Sequence, residues 1–336
     1  MDLRVKEDKI GAFLAPHLKE FIFDELSEGY LQKAGVGDIL KDVPIPIRKT
    51  AMTGLSTLTI SQNMAFVIGC DPQFQYCENY VAYILRTFDK KFAMALINEG
   101  VEAAASRDYD FACINFRAAL LIDPTSTDAL YCYGRACKDS YELGEEESYI
   151  ARYKAESIEA FEELTMRKPD FDMGFYFLGY GYLNLGLYIK AKLTWDEFMK
   201  LTNDDELKKE IQERLDVLDE PIEIEKGYNL VLSGKFNEGI EKLSPYKDSS
   251  FKTWWPLWYY LGVAHMEIFE KELAVEEFLQ VLKLSPSNID TMEKLVSLYT
   301  DLGDTEKVEK YTKKIEVVKS NIEKDRQQKE INDKLN

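Results

Sequence analysis

Residues 100–124 read GVEAAASRDYDFACINFRAALLIDP, and their spacing sets the frame for most of the chain. Gly100 is followed twelve residues later by the small Ala112, four later by the bulky Phe116 and eight later by Pro124, with Ala119 between. The frame then returns. Gly134 stands 34 residues after Gly100, and Ser157, Phe161, Leu164 and Pro169 complete a second unit once 11 extra residues are admitted between its halves. Gly179, Ala191, Trp195 and Phe198 form a third, with Asn203 in the proline place. A degraded fourth unit uses Gly227, Gly234, Gly239 and Leu243, and a clear fifth uses Trp258, Leu261, Gly262, Ala274, Phe278, Val281 and Pro286. The last keeps Leu295, Tyr299, Gly303 and Val308, with Val296 where the glycine would be.

Glycine or alanine at the two small places lets a pair of helices approach closely, and the bulky residue fills the groove beside them. Asp123-Pro124, Lys168-Pro169 and Ser285-Pro286 end one helix and begin a turn, because proline cannot continue the helix and restricts the residue before it. Gly144, Gly186, Gly234 and Gly303 fall where the turn inside each pair needs a positive φ, and Phe269 occupies that place in the fifth unit. A phased period of 34 residues built this way resembles the tetratricopeptide repeat family over about residues 93–316. The resemblance implies an all-α fold, an α-solenoid of five to six helical hairpins. Residues 1–90 form an N-terminal helical segment before the array at 91–316, and 317–336 follow it as a charged cap helix or tail.

Two irregularities interrupt the frame. Residues 145–167 read as one long helix with Ile150, Tyr153, Ile158, Phe161 and Leu164 on a face, so the added residues lengthen that hairpin by about three turns. The lengthened hairpin is either a protruding docking edge or tolerated growth. After the third unit, Asn203-Asp204-Asp205-Glu206 starts an extra helix with Leu207, Ile211, Leu215 and Leu218 along one stripe.

The first ninety residues lack the period. Ile10, Phe13, Leu14, Leu18, Phe21, Ile22 and Leu26 fit an amphipathic helix broken or kinked at Pro16, and residues 42–47 fit an extended linker. Two further helices follow, on Leu58 to Ile68 and on Tyr76 to Phe88. Residues 55–88 read either as a degenerate repeat capping the array or as a separate small helical domain.

Composition narrows the function. With 42 Lys+Arg against 60 Asp+Glu the net charge is −18, of which −16 falls after residue 90, so phosphate backbones and anionic lipid surfaces are repelled. The N-terminal segment, at net −2, offers only Arg48 and Lys49 as a cationic pair, too little for a DNA-recognition helix. The mixed charges of the first ten residues do not make a secretory signal, and no apolar run approaches the ~18 residues of a membrane span, so a cytoplasmic protein is expected, with neither nucleic-acid nor membrane partners. Five cysteines without a CxxC pair point to reduced, buried thiols, and no metal or other cofactor is expected. Without a phosphate loop, HExxH or GxSxG, and with only His17 and His265 as imidazoles, the chain reads as a non-enzyme.

In tetratricopeptide repeats the first helix of each unit lines a concave surface. Carrying those places over gives Ile97 and Val101, then Tyr131, Arg135 and Lys138, then Tyr176, Tyr180 and Asn184, then Ile224 and Tyr228, then Tyr259 and Val263. The groove is tyrosine-rich, suited to stacking against an extended or helical peptide, and Asn184 can pair with a peptide amide. The resemblance therefore implies a protein- or peptide-binding scaffold, with a basic partner favoured by the acidic charge and with Tyr131, Arg135, Tyr176, Tyr180, Asn184, Tyr228 and Tyr259 as the candidate contacts. The basic clamp by which some members hold a chaperone tail is absent, since Ile97, Val101 and Tyr131 occupy its places. A second reading follows from similarity in outline to peptide-sensing regulators of Gram-positive bacteria, whose N-terminal helical segment carries the output. The oligomeric state stays open, stacking between copies near residue 320 being one form. The sequence does not name the partner.

Overall fold

The structure, a computed structural model, describes residues 2–50 and 55–335, with side chains described as far as residue 324. It divides into two compact units, Met1–Ile211 and Gln212–Asn336.

The first unit opens with α1 (Gly11–Leu14), a 3₁₀ turn at Ala15–Glu20, strand β1 (Phe21–Asp24), α2 (Glu28–Ala34), α3 (Gly37–Leu40) and strand β2 (Ile45–Arg48). The two strands pair antiparallel, Phe21 opposite Arg48 and Asp24 opposite Ile45. Then come α4 (Thr57–Cys70), α5 (Cys77–Phe88), α6 (Lys91–Ala105), α7 (Tyr109–Ile122), α8 (Thr127–Leu143), α9 (Glu147–Arg167), α10 (Asp172–Leu183) and α11 (Tyr188–Leu201), with α12 (Asp205–Leu215) crossing the division. Helices α6 and α7, α8 and α9, and α10 and α11 form antiparallel hairpins, stacked α7 on α8 and α9 on α10.

The frame read from the sequence is visible as contact. A Cβ at Gly100 would meet Phe116 at 2.6 Å, one at Gly134 would meet Phe161 at 3.0 Å, and one at Gly179 would meet Trp195 at 2.1 Å, so only glycine lets each ring lie flat on the facing helix. Asp108 caps α7 by accepting from Phe111 N–H at 3.1 Å, and Ser126 caps α8 from Ala129 N–H at 3.1 Å.

The N-terminal segment differs from the amphipathic helix and linker expected at 10–26 and 42–47. Pro16 stops the helix after one turn, and the chain continues as the 3₁₀ turn and β1, while the expected linker supplies β2. Asn63 of α4 secures β2 by donating to the Pro46 carbonyl at 3.0 Å. Nor do the added turns of α9 protrude. Phe13 packs on Tyr149 and Tyr153, with ring centres 5.0 and 5.9 Å away. Lys6 donates to the buried Glu156 at 2.6 Å, Lys9 pairs with Glu159, and Asp8 pairs with Arg117 of α7, itself 1% exposed. Helix α4 packs on α7, and residues 10–45 and α4 contribute Ile10, Leu14, Phe21, Ile45 and Met64 to the same core as the hairpins.

The second unit holds α13 (Asp219–Leu232), α14 (Phe236–Leu243), 3₁₀ turns at Ser244–Asp248 and Ser250–Thr253, α15 (Trp255–Glu267), α16 (Lys271–Leu284), α17 (Ile289–Asp301) and α18 (Thr305–Leu335). Its hairpins are α13 with α14, α15 with α16 and α17 with α18. Inside the α15–α16 hairpin His265 and Glu277 are buried, Nδ1 lying 2.6 Å from Oε2, and Lys247 pairs with the same carboxylate. Trp258, which opens the fifth unit of the frame, is only half-buried and donates its indole N–H to the Lys252 carbonyl at 2.8 Å, while Leu257 and Leu261 are in the core. The expected cap at 317–336 continues α18, and its side chains from 325 onward lie outside the described residues.

The turn inside each hairpin recurs with a positive φ at Gly186, Gly234 and Gly303, as the spacing predicts. Gly144 departs from this, with φ −69, because the lengthened hairpin crosses from α8 to α9 in extended backbone. Arg107 (φ 63) and Phe269 (φ 66) hold the left-handed position without the help of glycine.

Candidate functional site

Along α6 and α8 the first unit presents a hollow of about 250 Å³, lined among others by Val101, Phe116, Tyr131, Arg135 and Asp139. Small side chains on α6, Ala104 and Ala105, leave the space open beside the larger residues of α8. Tyr131 is half-buried, its ring edge-on to Phe171 at 5.1 Å and tilted on Phe177 at 6.1 Å. Arg135, one turn further, is exposed and lays its guanidinium over Phe177 and Tyr131, 5.2 and 5.9 Å from the ring centres. Among the described residues it makes no ion pair, so its charge is held in place by rings rather than neutralised. Lys138 is drawn aside to Glu142 at 2.6 Å. Val101 is 47% exposed beside this pair, whereas Ile97, mapped to the same groove, is buried in the hairpin core.

Tyr176 and Tyr180 of α10 sit together with ring centres 5.2 Å apart, and both hydroxyls donate to the same oxygen of Glu210 on the extra helix α12, Tyr176 at 3.0 Å. Burial, reinforced by the Glu210 carboxylate, pushes the Tyr176 hydroxyl well above its usual pKa and keeps it a neutral donor. Asn184 is exposed at the C-terminal end of α10, its backbone N–H bonded to the Tyr180 carbonyl at 3.0 Å. The structure thus brings Tyr131 together with Arg135, and Tyr176 together with Tyr180.

In the second unit Tyr228 stacks on Tyr260 at 4.9 Å, and Tyr259 packs on Phe278 at 5.9 Å while its hydroxyl donates to Asp290. Burial first, then Asp290, raises the Tyr259 pKa.

Three contributors escaped the sequence reading. Phe171 and Phe177 support Tyr131 and Arg135, and Glu210 ties down the tyrosine pair. The apolar stripe that located α12 skipped Glu210 because a carboxylate on a solvated helix face carries no periodic signal.

The histidines each face a carboxylate, His17 Nε2 lying 3.4 Å from Asp110 and His265 Nδ1 2.6 Å from Glu277. Burial pushes the Cys70 thiol up to about 12 and that of Cys77 up to about 11, the opposite of an activated nucleophile. Among the described residues, no group of three or more His, Cys, Asp or Glu side chains is placed to hold a metal ion, and no helix is long and apolar enough to cross a membrane.

Stacked antiparallel hairpins with a glycine-on-ring frame define a helical repeat protein. Residues 256–288, which span the α15–α16 hairpin, match the family model for the tetratricopeptide repeat, so this hairpin is a unit of that family. Similar solved structures include the TPR domain of P58(IPK), 12% identical, covering 88% of this chain and 85% of that one with a TM-score of 0.46. YrrB, described as a TPR protein with an unusual peptide-binding site, is 15% identical, with 64% and 96% covered and a TM-score of 0.32. MamA from Desulfovibrio magneticus RS-1 is 12% identical, with 69% and 97% covered and a TM-score of 0.27. Comparison with curated proteins gives no match.

Proposed function

We propose that the chain is a cytoplasmic, non-enzymatic scaffold that binds a protein or peptide partner on the face formed by the first helices of its repeats. The observation that carries this reading is the hollow on α6 and α8, where Tyr131 and Arg135, which makes no ion pair among the described residues, stand over an aromatic floor. Rigid rings with one exposed guanidinium supply stacking area and directional donors at small entropic cost, the composition that dominates peptide-binding surfaces. Tyr176, Tyr180 and Asn184 extend the contact along α10 through ring faces and an exposed amide, and Tyr228 and Tyr259 are the corresponding contacts of the second unit. The charge of −18 favours a basic partner by long-range steering, screened beyond ~8 Å at physiological salt.

In the regulatory alternative the output is carried by residues 1–90, of which Ile10, Leu14, Phe21 and Met64 belong to the core of the first unit. Affinity capture with the wild-type chain and with Tyr131→Ala/Arg135→Ala tests the scaffold reading. Loss of the specifically captured partner in the double variant supports it, and unchanged capture contradicts it.

A further inference from the structure

A second cavity of about 250 Å³ lies between α4, α6 and α7, apart from the Tyr131–Arg135 face, and its polar lining sets the oxygens of Asn63, Asn115 and Glu99 beside Thr59, Gln62 and Arg48. Asn63 is 3% and Asn115 5% exposed. Each amide is fixed by its NH₂ group, which donates to the Pro46 carbonyl at 3.0 Å in one case and the Phe111 carbonyl at 2.9 Å in the other. The side-chain carbonyl oxygens are therefore oriented, yet among the described residues neither accepts a hydrogen bond, and neither is sealed from solvent. The half-buried Glu99 adds a carboxylate to the same cavity with no ion pair among the described residues. Phe66 and Phe111, with ring centres 5.8 Å apart, supply the apolar wall.

The one cation in the lining is already committed. Arg48 pairs with Glu20 at 3.0 Å and lies over Phe21 and Phe66, 5.1 and 4.9 Å from their centres. Its charge is paired with Glu20, so among the described residues Glu99 is the lining charge without an ion-pair partner, and the Phe21 and Phe66 rings already hold a guanidinium on their faces. Two oriented amide oxygens, a free carboxylate and an aromatic wall match a planar cation with several N–H donors.

We infer that this cavity is a binding site for a guanidinium group, taken as an arginine side chain of a basic protein partner. The identification of a protein as the source rests on the scaffold reading and on the acidic net charge of −18; the guanidinium chemistry rests on the cavity alone.

The test titrates the full chain with a Gly-Arg-Gly peptide, its citrulline counterpart, agmatine and inorganic phosphate, followed by ligand-observed NMR and calorimetry. The arginine peptide is expected to bind and the citrulline peptide and phosphate not to bind. Glu99→Gln, at a side chain with no partner to lose, is expected to weaken the arginine peptide about tenfold. Glu102→Gln, exposed on the same helix, and Tyr131→Ala/Arg135→Ala are expected to leave this binding unchanged, so failure at one site is distinguishable from failure at the other. Absence of binding, equal binding of the citrulline peptide or of phosphate, or an unaffected Glu99→Gln variant would overturn the assignment. Agmatine binding more tightly than the peptide would assign the cavity to a free small-molecule guanidine and overturn the partner side chain as its occupant.

Discussion

Gly179 lies directly against the indole of Trp195, whose Nε1–H donates to the Tyr176 carbonyl at 3.2 Å. A Cβ at position 179 would stand 2.1 Å from that nitrogen, and Trp195 is fully buried with no room to retreat. Gly179→Ala is therefore expected to lower stability by about 2 kcal/mol despite the better helix propensity of alanine. Gly29→Ala, where nothing lies within 4 Å, is the control and is expected to lose none. Urea denaturation followed by circular dichroism reads both.

Arg117 and Asp8, 109 residues apart, make an ion pair whose guanidinium is almost wholly buried. Among the described residues its Nε and Nη1 have no hydrogen-bond partner, so Asp8 is the carboxylate that bonds it directly, with the buried Glu156 adding to the compensation through space. Removing one partner of a buried pair leaves an uncompensated charge, and Asp8→Ala is expected to cost about 3 kcal/mol. Arg117→Met in the Asp8→Leu background is expected to restore most of that loss. The same denaturation series checks the pair, and a double variant no more stable than Asp8→Ala would contradict the electrostatic account.

Phe269 holds φ 66 at a hairpin turn and is 81% exposed, so its side chain gains nothing from packing while its backbone occupies a region that favours glycine. Phe269→Gly is expected to raise stability by about 0.5–1 kcal/mol, the relief of strain exceeding the added entropy of the unfolded chain. A thermal melt of the variant measures it, and a lowered midpoint would show that the turn is not strained.

The buried thiols give a pH dependence of known sign. Cys70 and Cys77 titrate near 9 when exposed and at about 12 and about 11 in the folded chain, because burial penalises the thiolate. A raised folded pKa means that the contribution to stability is complete below the exposed value and is lost as pH rises through the folded one. The urea midpoint is expected to fall between pH 8 and pH 10.5 more steeply in the wild type than in Cys70→Ala/Cys77→Ala. At pH 8 a thiol reagent is expected to label the half-buried Cys132 well before the four buried cysteines.

The repeat frame was readable because its glycines and rings are local partners at constant spacing, as Gly100 with Phe116 and Gly262 with Phe278 demonstrate. The long helix α9 and the inserted α12 were readable from apolar stripes for the same reason. The N-terminal segment was not, since its structure is decided by distant side chains. Phe13 finds Tyr149 and Asp8 finds Arg117, and neither pairing leaves a periodic trace near residue 10. Of the site, Tyr131 and Arg135 followed from their places in the first helix of a unit. The engagement of Tyr176 and Tyr180 by Glu210 depends on the angle at which α12 returns, which no spacing encodes.

Tyr131 and Arg135 are proposed as the partner-binding face. It is tested by placing a photo-crosslinking phenylalanine derivative at Val101, exposed beside this pair, and, separately, at the exposed Leu193 of α11, and then measuring the affinity of the partner so identified for purified variants. A discrete crosslinked protein is expected from position 101 and none from 193. Tyr131→Ala/Arg135→Ala is expected to weaken the purified complex at least about tenfold while Leu193→Ala leaves it unchanged. Equal crosslinking from both positions, or an affinity indifferent to Tyr131 and Arg135, would contradict the proposal.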